Sequence, residues 1–289
     1  MVAVLKKITF IVSLVTPTCF SDSSLYREAH RKLDSKGGPE FTYRRRDDRV
    51  EPLGPSEWHI GDGYGDCNGT SQSPINLSAA YEEERHIDLK FYPSSCPSSE
   101  LAFSVSNHFF LVNFENCEDS PHVKFHGETF NVLQIHFHSA SEHTIGSTHH
   151  DAEVHLVHLK EGTNDELLVV GVLIDASSHG DNEEVADLWD VLLTGVETAA
   201  EARRNFTTDI YDLLPATPTF VHYTGSLTTP PCTEGVRWIV MTEPILISEL
   251  QLVEYRHSVA LLDNSKVDEL GNTNRPTQPL NGRPVYYSS

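Results

Sequence analysis

The residues in this chain best able to do chemistry are the run Gln134-Ile135-His136-Phe137-His138 and the later Glu153-Val154-His155. In a β-strand alternate side chains share a face. His136 and His138 therefore point one way with Gln134, and Ile135 and Phe137 point the other way, into a core. The same alternation in 152–159 groups Glu153, His155 and Val157. If the two strands are neighbours, three imidazoles converge. Three neutral imidazoles leave one tetrahedral position of Zn²⁺ open, which is the catalytic rather than the structural arrangement. Glu153 and Gln134 are placed to hold the ligands through their second ring nitrogens. With 16 His in the chain, His-x-His alone is a weak signal; the added Glu-x-His strengthens it.

These residues need a sheet to position them. Short alternating segments recur at Leu101–Val105, Phe109–Phe114, Val123–Phe125, Leu133–His138, Val154–Leu159, Leu167–Ile174 and Trp238–Met241, separated by turn residues. Two stretches have helical spacing: Asn182–Leu193, and Ser248–Val259 with Ser248 as N-cap. The pattern is a large sheet with peripheral helices, in one domain over 57–289. Ahead of it, Lys6 and Lys7, the short apolar run Ile8–Val15 and the small residues up to Ser21 read as a signal peptide over 1–21. Residues 22–56 read as a flexible polar leader, punctuated by Gly and Pro, with a candidate processing site at Tyr43-Arg44-Arg45-Arg46-Asp47. No apolar tail follows Arg283, so no lipid-anchor signal is expected.

Several stretches resemble the α-type carbonic anhydrases: Gln72-Ser73-Pro74-Ile75-Asn76, Gln134 to His138, Ser141-Glu142-His143-Thr144, Asp151 to His158, Tyr223 to Cys232, Trp238-Ile239-Val240 and Arg275-Pro276-x-Gln278-Pro279-Leu280. The resemblance runs in order from about Trp58 to about Tyr286. It implies an α+β, β-dominated fold: a twisted, mostly antiparallel sheet of about ten strands with peripheral helices. It implies a lyase, a carbonate dehydratase that hydrates CO2 reversibly to bicarbonate and a proton.

Residue by residue, the resemblance implies that His136, His138 and His155 hold Zn²⁺, with water as fourth ligand. The metal lowers the pKa of that water to about 7, a value taken from carbonic anhydrase itself. Gln134 and Glu153 support His136 and His155, and His138 bonds a backbone carbonyl near Thr273. Thr228 accepts a hydrogen bond from the hydroxide and gives its proton to Glu142, because an ionised carboxylate only accepts. Thr229 contacts bicarbonate. Val157, Val169, Leu227 and Trp238 form the apolar wall for CO2, and His108 takes the family's proton-shuttle position, where an unperturbed pKa of about 6.5 suits the task. His143, paired with Tyr223, and His158 read as buried structural residues. Two departures stand out: Ser139 where the family often has Trp, and Thr273 where it often has Asn.

After a signal peptide four cysteines remain, which allow three pairings. The resemblance selects Cys67–Cys232, bracing the loop of Thr228, and leaves Cys96 with Cys117. Sequons occur at Asn68, Asn76 and Asn205; Asn205 and Asn68 are the glycosylation candidates, and Asn76 belongs to a buried motif. The span 57–289 holds eleven Lys/Arg against thirty-five Asp/Glu, a net −24. Nucleic acid and anionic membranes are poor partners for such a surface. It favours solubility, and it is compatible with divalent-cation or mineral association, so the alternative function is a secreted acidic calcium- or mineral-associated matrix protein on the same fold.

Overall fold

The structure is a computed structural model that describes residues 24–25, 28–29, 40–44, 53–61, 64–78, 82–83, 87–93, 102–105, 110–114, 120–178, 209–262, 267–268 and 270–288. The strands are β1 (Glu82–Glu83), β2 (Leu89–Tyr92), β3 (Ala102–Val105), β4 (Phe110–Asn113), β5 (His122–Phe125), β6 (Glu128–His138), β7 (Thr144–Ile145), β8 (Thr148–His149), β9 (Ala152–Lys160), β10 (Leu167–Ser177), β11 (Phe220–Ser226), β12 (Glu234–Ser248) and β13 (Tyr286–Ser288). Helix α1 (Glu249–Leu262) follows β12 directly. Eleven strands form one sheet whose main path is β1-β13-β11-β12-β10-β9-β6-β4-β3, with the β2–β5 pair joined to β6. Among the described strands, β1/β13 and β10/β12 are the pairs that run in parallel. The alternating segments expected at 101–105 and 109–114 supply the antiparallel β3/β4 pair.

The central strands are buried on both faces, so each face carries its own apolar layer. One layer contains Val112, Phe130, Val132, Ile135, Phe137, Val154, Leu156, Val170, Val172, Ile239 and Met241. The other contains Leu133, Val157, Val169, Val221, Tyr223, Trp238 and Val240. Strict alternation along β6 would put Phe130 and Val132 on the face of His136 and His138. A register shift between Val132 and Gln134 inserts one residue, as a β-bulge does. The phase flips there, Leu133 joins the second layer, and both apolar pairs, Phe130/Val132 and Ile135/Phe137, reach the same core.

Helix α1 starts as the sequence suggests. The Gln251 N–H donates to Ser248 Oγ at 3.2 Å, and the Ser248 N–H donates to Gln251 Oε1 at 2.8 Å, a reciprocal capping box. Leu252, Tyr255 and Val259 of the helix join the first layer.

Where the sequence reads as a polar leader, residues 40–44 are packed on the domain. Phe41 and Tyr43 are each 2% exposed and cluster with Leu53, Trp58, Tyr64, Cys67 and Cys232. Phe41 bridges to Leu53, and Tyr64 Oη donates to the Glu40 carbonyl at 2.6 Å. The basic run beside them masks two aromatic anchors that bury as any core rings do. The helical stretch 182–193 lies outside the described residues. No helix among the described residues is long and apolar enough to cross a membrane.

Candidate metal centre and active site

Strands β6 and β9 are neighbours, and His136 stands directly opposite His155 in the ladder. The ring centroids of His136, His138 and His155 lie 4.8–5.1 Å apart. Each offers a ring nitrogen within 4.8 Å of the others. Burial, reinforced by the neighbouring imidazoles, holds His136 well below the usual histidine range. Burial likewise lowers His155 and takes His138 down to about 4. All three are therefore neutral near pH 7, which is the ligating form.

Their outer bonds fix the tautomers. A carbonyl and a carboxylate can only accept. His138 Nδ1 therefore donates to the Thr273 carbonyl at 2.7 Å, and His155 Nε2 donates to Glu153 Oε1 at 2.9 Å. The lone pairs of His138 Nε2 and His155 Nδ1 are left for the centre. His155 Nδ1 stands 3.3 Å from His136 Nε2. Two nitrogens about 2.0–2.1 Å from a tetrahedral Zn²⁺ stand roughly 3.3–3.4 Å apart, so the donor set and its spacing fit the metal.

Glu153 is the hub behind His155. Its Oε1 also accepts from His143 Nδ1 at 2.7 Å, and its Oε2 accepts from the backbone N–H groups of Glu142 and His143 at 2.9 and 2.8 Å. Burial would raise this carboxyl, but His143 and His155 outweigh it and hold it well below the usual range. With Nδ1 donating, His143 Nε2 accepts from Tyr223 Oη at 2.7 Å, and Tyr223 Oη pairs with Ser73 Oγ at 2.8 Å. The expected His143–Tyr223 pair is present. His158 projects to the opposite face, where its Nε2 meets Tyr211 Oη at 3.1 Å. Gln134 is buried on the ligand face, but its Oε1 has no hydrogen-bond partner among the described residues, so the expected bond to His136 is not formed.

Glu142 Oε2 lies 3.6 Å from His138 Nε2. Burial raises the Glu142 carboxyl to about 7, against the pull of His155, the Thr228 hydroxyl and the Arg275 N–H. That N–H reaches Glu142 Oε1 at 2.9 Å. Thr228 and Glu142 thus lie together beside the triad.

The wall residues form one row. Gln134 is opposite Val157, Val157 opposite Val169, and Val169 opposite Trp238, so the row crosses β6, β9, β10 and β12 one step from His155. Leu227 packs against the same layer. Cys67 is bonded to Cys232. The Cys232 N–H donates to the Thr229 carbonyl and the Asp66 N–H to the Pro231 carbonyl, each at 2.8 Å, so the disulfide braces the loop of Thr228 and Thr229. His108, Cys96, Cys117 and Asn205 lie outside the described residues. Asn68 is exposed. Asn76 is half-buried, with its amide donating to Ser147 Oγ at 3.0 Å.

Two residues had no role assigned from sequence. Gly171 sits opposite His155, and a Cβ there would stand 2.8 Å from Glu153 Oε1. Only its place in an otherwise branched run, Val169-Val170-Gly171-Val172, marks it. Arg275, 1% exposed, donates to Gln72 Oε1 and to the carbonyls of Ser73 and Cys67; its signal was the Arg-Pro motif itself.

The family model described as eukaryotic-type carbonic anhydrase matches residues 53–289. A carbonic anhydrase of Klebsiella pneumoniae is 30% identical over 234 residues, covering 80% of this chain and 86% of that protein. The α-carbonic anhydrase of Thermovibrio ammonificans, solved in complex with the inhibitor sulfanilamide, superposes with a TM-score of 0.68 at 30% identity, over 86% of this chain and all of that one. The carbonic anhydrase Cah3 of Chlamydomonas reinhardtii, in complex with acetazolamide, gives 0.64 at 28% identity, over 84% of this chain and 99% of that one. With a family match across most of its length and the fold to go with it, the chain belongs to the eukaryotic-type (α) carbonic anhydrases, which are lyases.

Proposed function

We propose that this enzyme hydrates CO2 reversibly with Zn²⁺ held by His136, His138 and His155. The observation that carries the reading is the convergence of three neutral imidazoles, two of which, His138 and His155, have their outer nitrogens already committed. Bound there, Zn²⁺ would supply hydroxide near neutral pH, at the value of about 7 taken from carbonic anhydrase itself.

The chain's own groups do the rest. In this reading Thr228 Oγ1 turns its proton to Glu142, offers the nucleophile only a lone pair and so fixes its orientation; the nearness of the two groups supports it. Val157, Val169, Leu227 and Trp238 present an apolar surface, which suits a substrate with no proton to share. Thr229 receives bicarbonate. His108 passes the released proton to buffer. Export belongs to the same reading and is supported by the Cys67–Cys232 bond, since disulfides persist in oxidising compartments. Association of the acidic surface with calcium or mineral is a separate proposal, tested by whether calcium raises the melting temperature.

The test is stopped-flow CO2 hydration by the zinc-loaded protein from pH 6 to 9. A rate rising with an apparent pKa near 7, abolished by chelation and by a sulfonamide, is expected. The His136→Asn variant should fall to buffer level; parental activity in that variant would overturn the reading. Glu142→Gln swaps a carboxylate that, once ionised, only accepts for an amide that also donates, and should lower kcat/KM on the order of 10²-fold.

A further inference from the structure

Three consecutive residues at the end of β6 are held by groups from outside the sheet. The Phe137 carbonyl accepts from Tyr255 Oη at 2.6 Å, the His138 ring donates to the Thr273 carbonyl at 2.7 Å, and the Ser139 N–H donates to Thr273 Oγ1 at 3.3 Å. The Thr273 N–H donates back to the Ser139 carbonyl. The Thr273 hydroxyl faces the Tyr255 phenol, near enough to work against the burial that raises that phenol. The Ser139 N–H is thus tied to Thr273 Oγ1 and the Phe137 carbonyl to Tyr255 Oη, with the two hydroxyls side by side. Together they clasp the strand on either side of His138. Tyr255, Thr273 and Ser139 are each 1% exposed or less. Arg256, next to Tyr255 on α1, places its Nε 3.4 Å from Ser139 Oγ.

Residues 272–280 carry no helix or strand. No ladder therefore fixes the Thr273 carbonyl that orients the His138 ring.

We propose that Tyr255 and Thr273 are positioning residues for His138, their hydroxyls locking the carbonyl that sets this ligand's ring. The proposal rests on the zinc reading above. Outer partners of metal ligands change affinity by about 10–100-fold when removed.

The test is the rate at which zinc passes from the folded protein to a chelator, with the absorption spectrum of the Co²⁺-substituted protein as a second readout. Tyr255→Phe and Thr273→Val each delete one hydroxyl and keep the bulk. Each should speed zinc loss about tenfold and alter the cobalt bands, while Thr273→Ser stays within about twofold of the parent. The double variant should lose less than the two single effects combined, because both loosen the same clasp. Parental zinc-loss rates and cobalt spectra in folded Tyr255→Phe and Thr273→Val would overturn the proposal, as would Thr273→Ser behaving like Thr273→Val. Failure of the zinc reading looks different: the parent would take up no zinc, or His138→Ala would retain it with parental affinity.

Discussion

Gly171 stands across the β9/β10 ladder from His155, and the space its missing side chain leaves is filled by the Glu153 carboxylate. A Cβ at 171 would lie 2.8 Å from Glu153 Oε1, the oxygen that holds both His143 and His155. The carboxylate cannot retreat, because its other oxygen is fixed by two backbone N–H groups. Gly171→Ala should therefore fold but misplace His155. Zinc affinity, read by chelator competition, should drop about 10–100-fold. Unchanged affinity would show that the Glu153 contacts do not govern this ligand.

The Cys67–Cys232 bond closes a sequence separation of 165 residues and joins the segment before Gln72 to the loop of Thr228 and Thr229. Arg275 and Gln72 add bonds to the carbonyls of the same two cysteines. Replacing both cysteines by serine should cost about 2–5 kcal/mol in chemical denaturation. Activity should fall in the fraction that remains folded, because the turn carrying Thr228 loses its brace. An equal kcat/KM for the folded parent and variant would separate the disulfide's stabilising role from any role in the site.

What could be seen in the sequence, and what could not, divides along physical lines. The ligand face of β6 was legible because a strand has a period of two over so short a run as 134–138. The phase flip at Leu133 was not, since a bulge leaves no mark in composition. That β6 and β9 are neighbours entered as a condition and was met by the ladder itself. The residues holding His138 were harder: Thr273 is distant in sequence and acts through a carbonyl, which every residue has. Phe41 and Tyr43 were misread with their basic neighbours as leader, because two aromatic residues among charges give no periodicity.

That misreading has a testable consequence. A protein beginning at residue 40 keeps Phe41 and Tyr43 under Trp58 and against the disulfide. One beginning at residue 57 loses Phe41, Tyr43 and Leu53 and exposes the rings that covered them. Loss of a single buried aromatic side chain costs about 3–5 kcal/mol. Of the described core residues the longer form lacks Ala29 alone, a small side chain, so it should melt cooperatively near the full chain, and the shorter should melt far lower or fail to fold. Equal melting temperatures would return these residues to the leader.

His158 gives a pH dependence that can be isolated. It is fully buried among the first apolar layer, with Tyr211 Oη at its Nε2. Burial takes it down to about 4, opposed by the carbonyls of Leu156 and Leu168 and aided by His122. The unfolded chain takes up this proton near 6.5. Between about pH 6.5 and pH 4 the unfolded state therefore binds more protons, and stability falls as pH falls. The contribution is complete above about 6.5 and amounts to at most about 3 kcal/mol by pH 4. His158→Gln cannot titrate. It should be less stable than the parent at pH 7, where the Tyr211 contact is disturbed, and the gap should narrow steadily towards pH 5 in urea unfolding. Groups remote from residue 158 cancel in the difference between the two curves, which therefore reports this site. A gap that stays constant with pH would show that His158 is not held neutral in the folded protein.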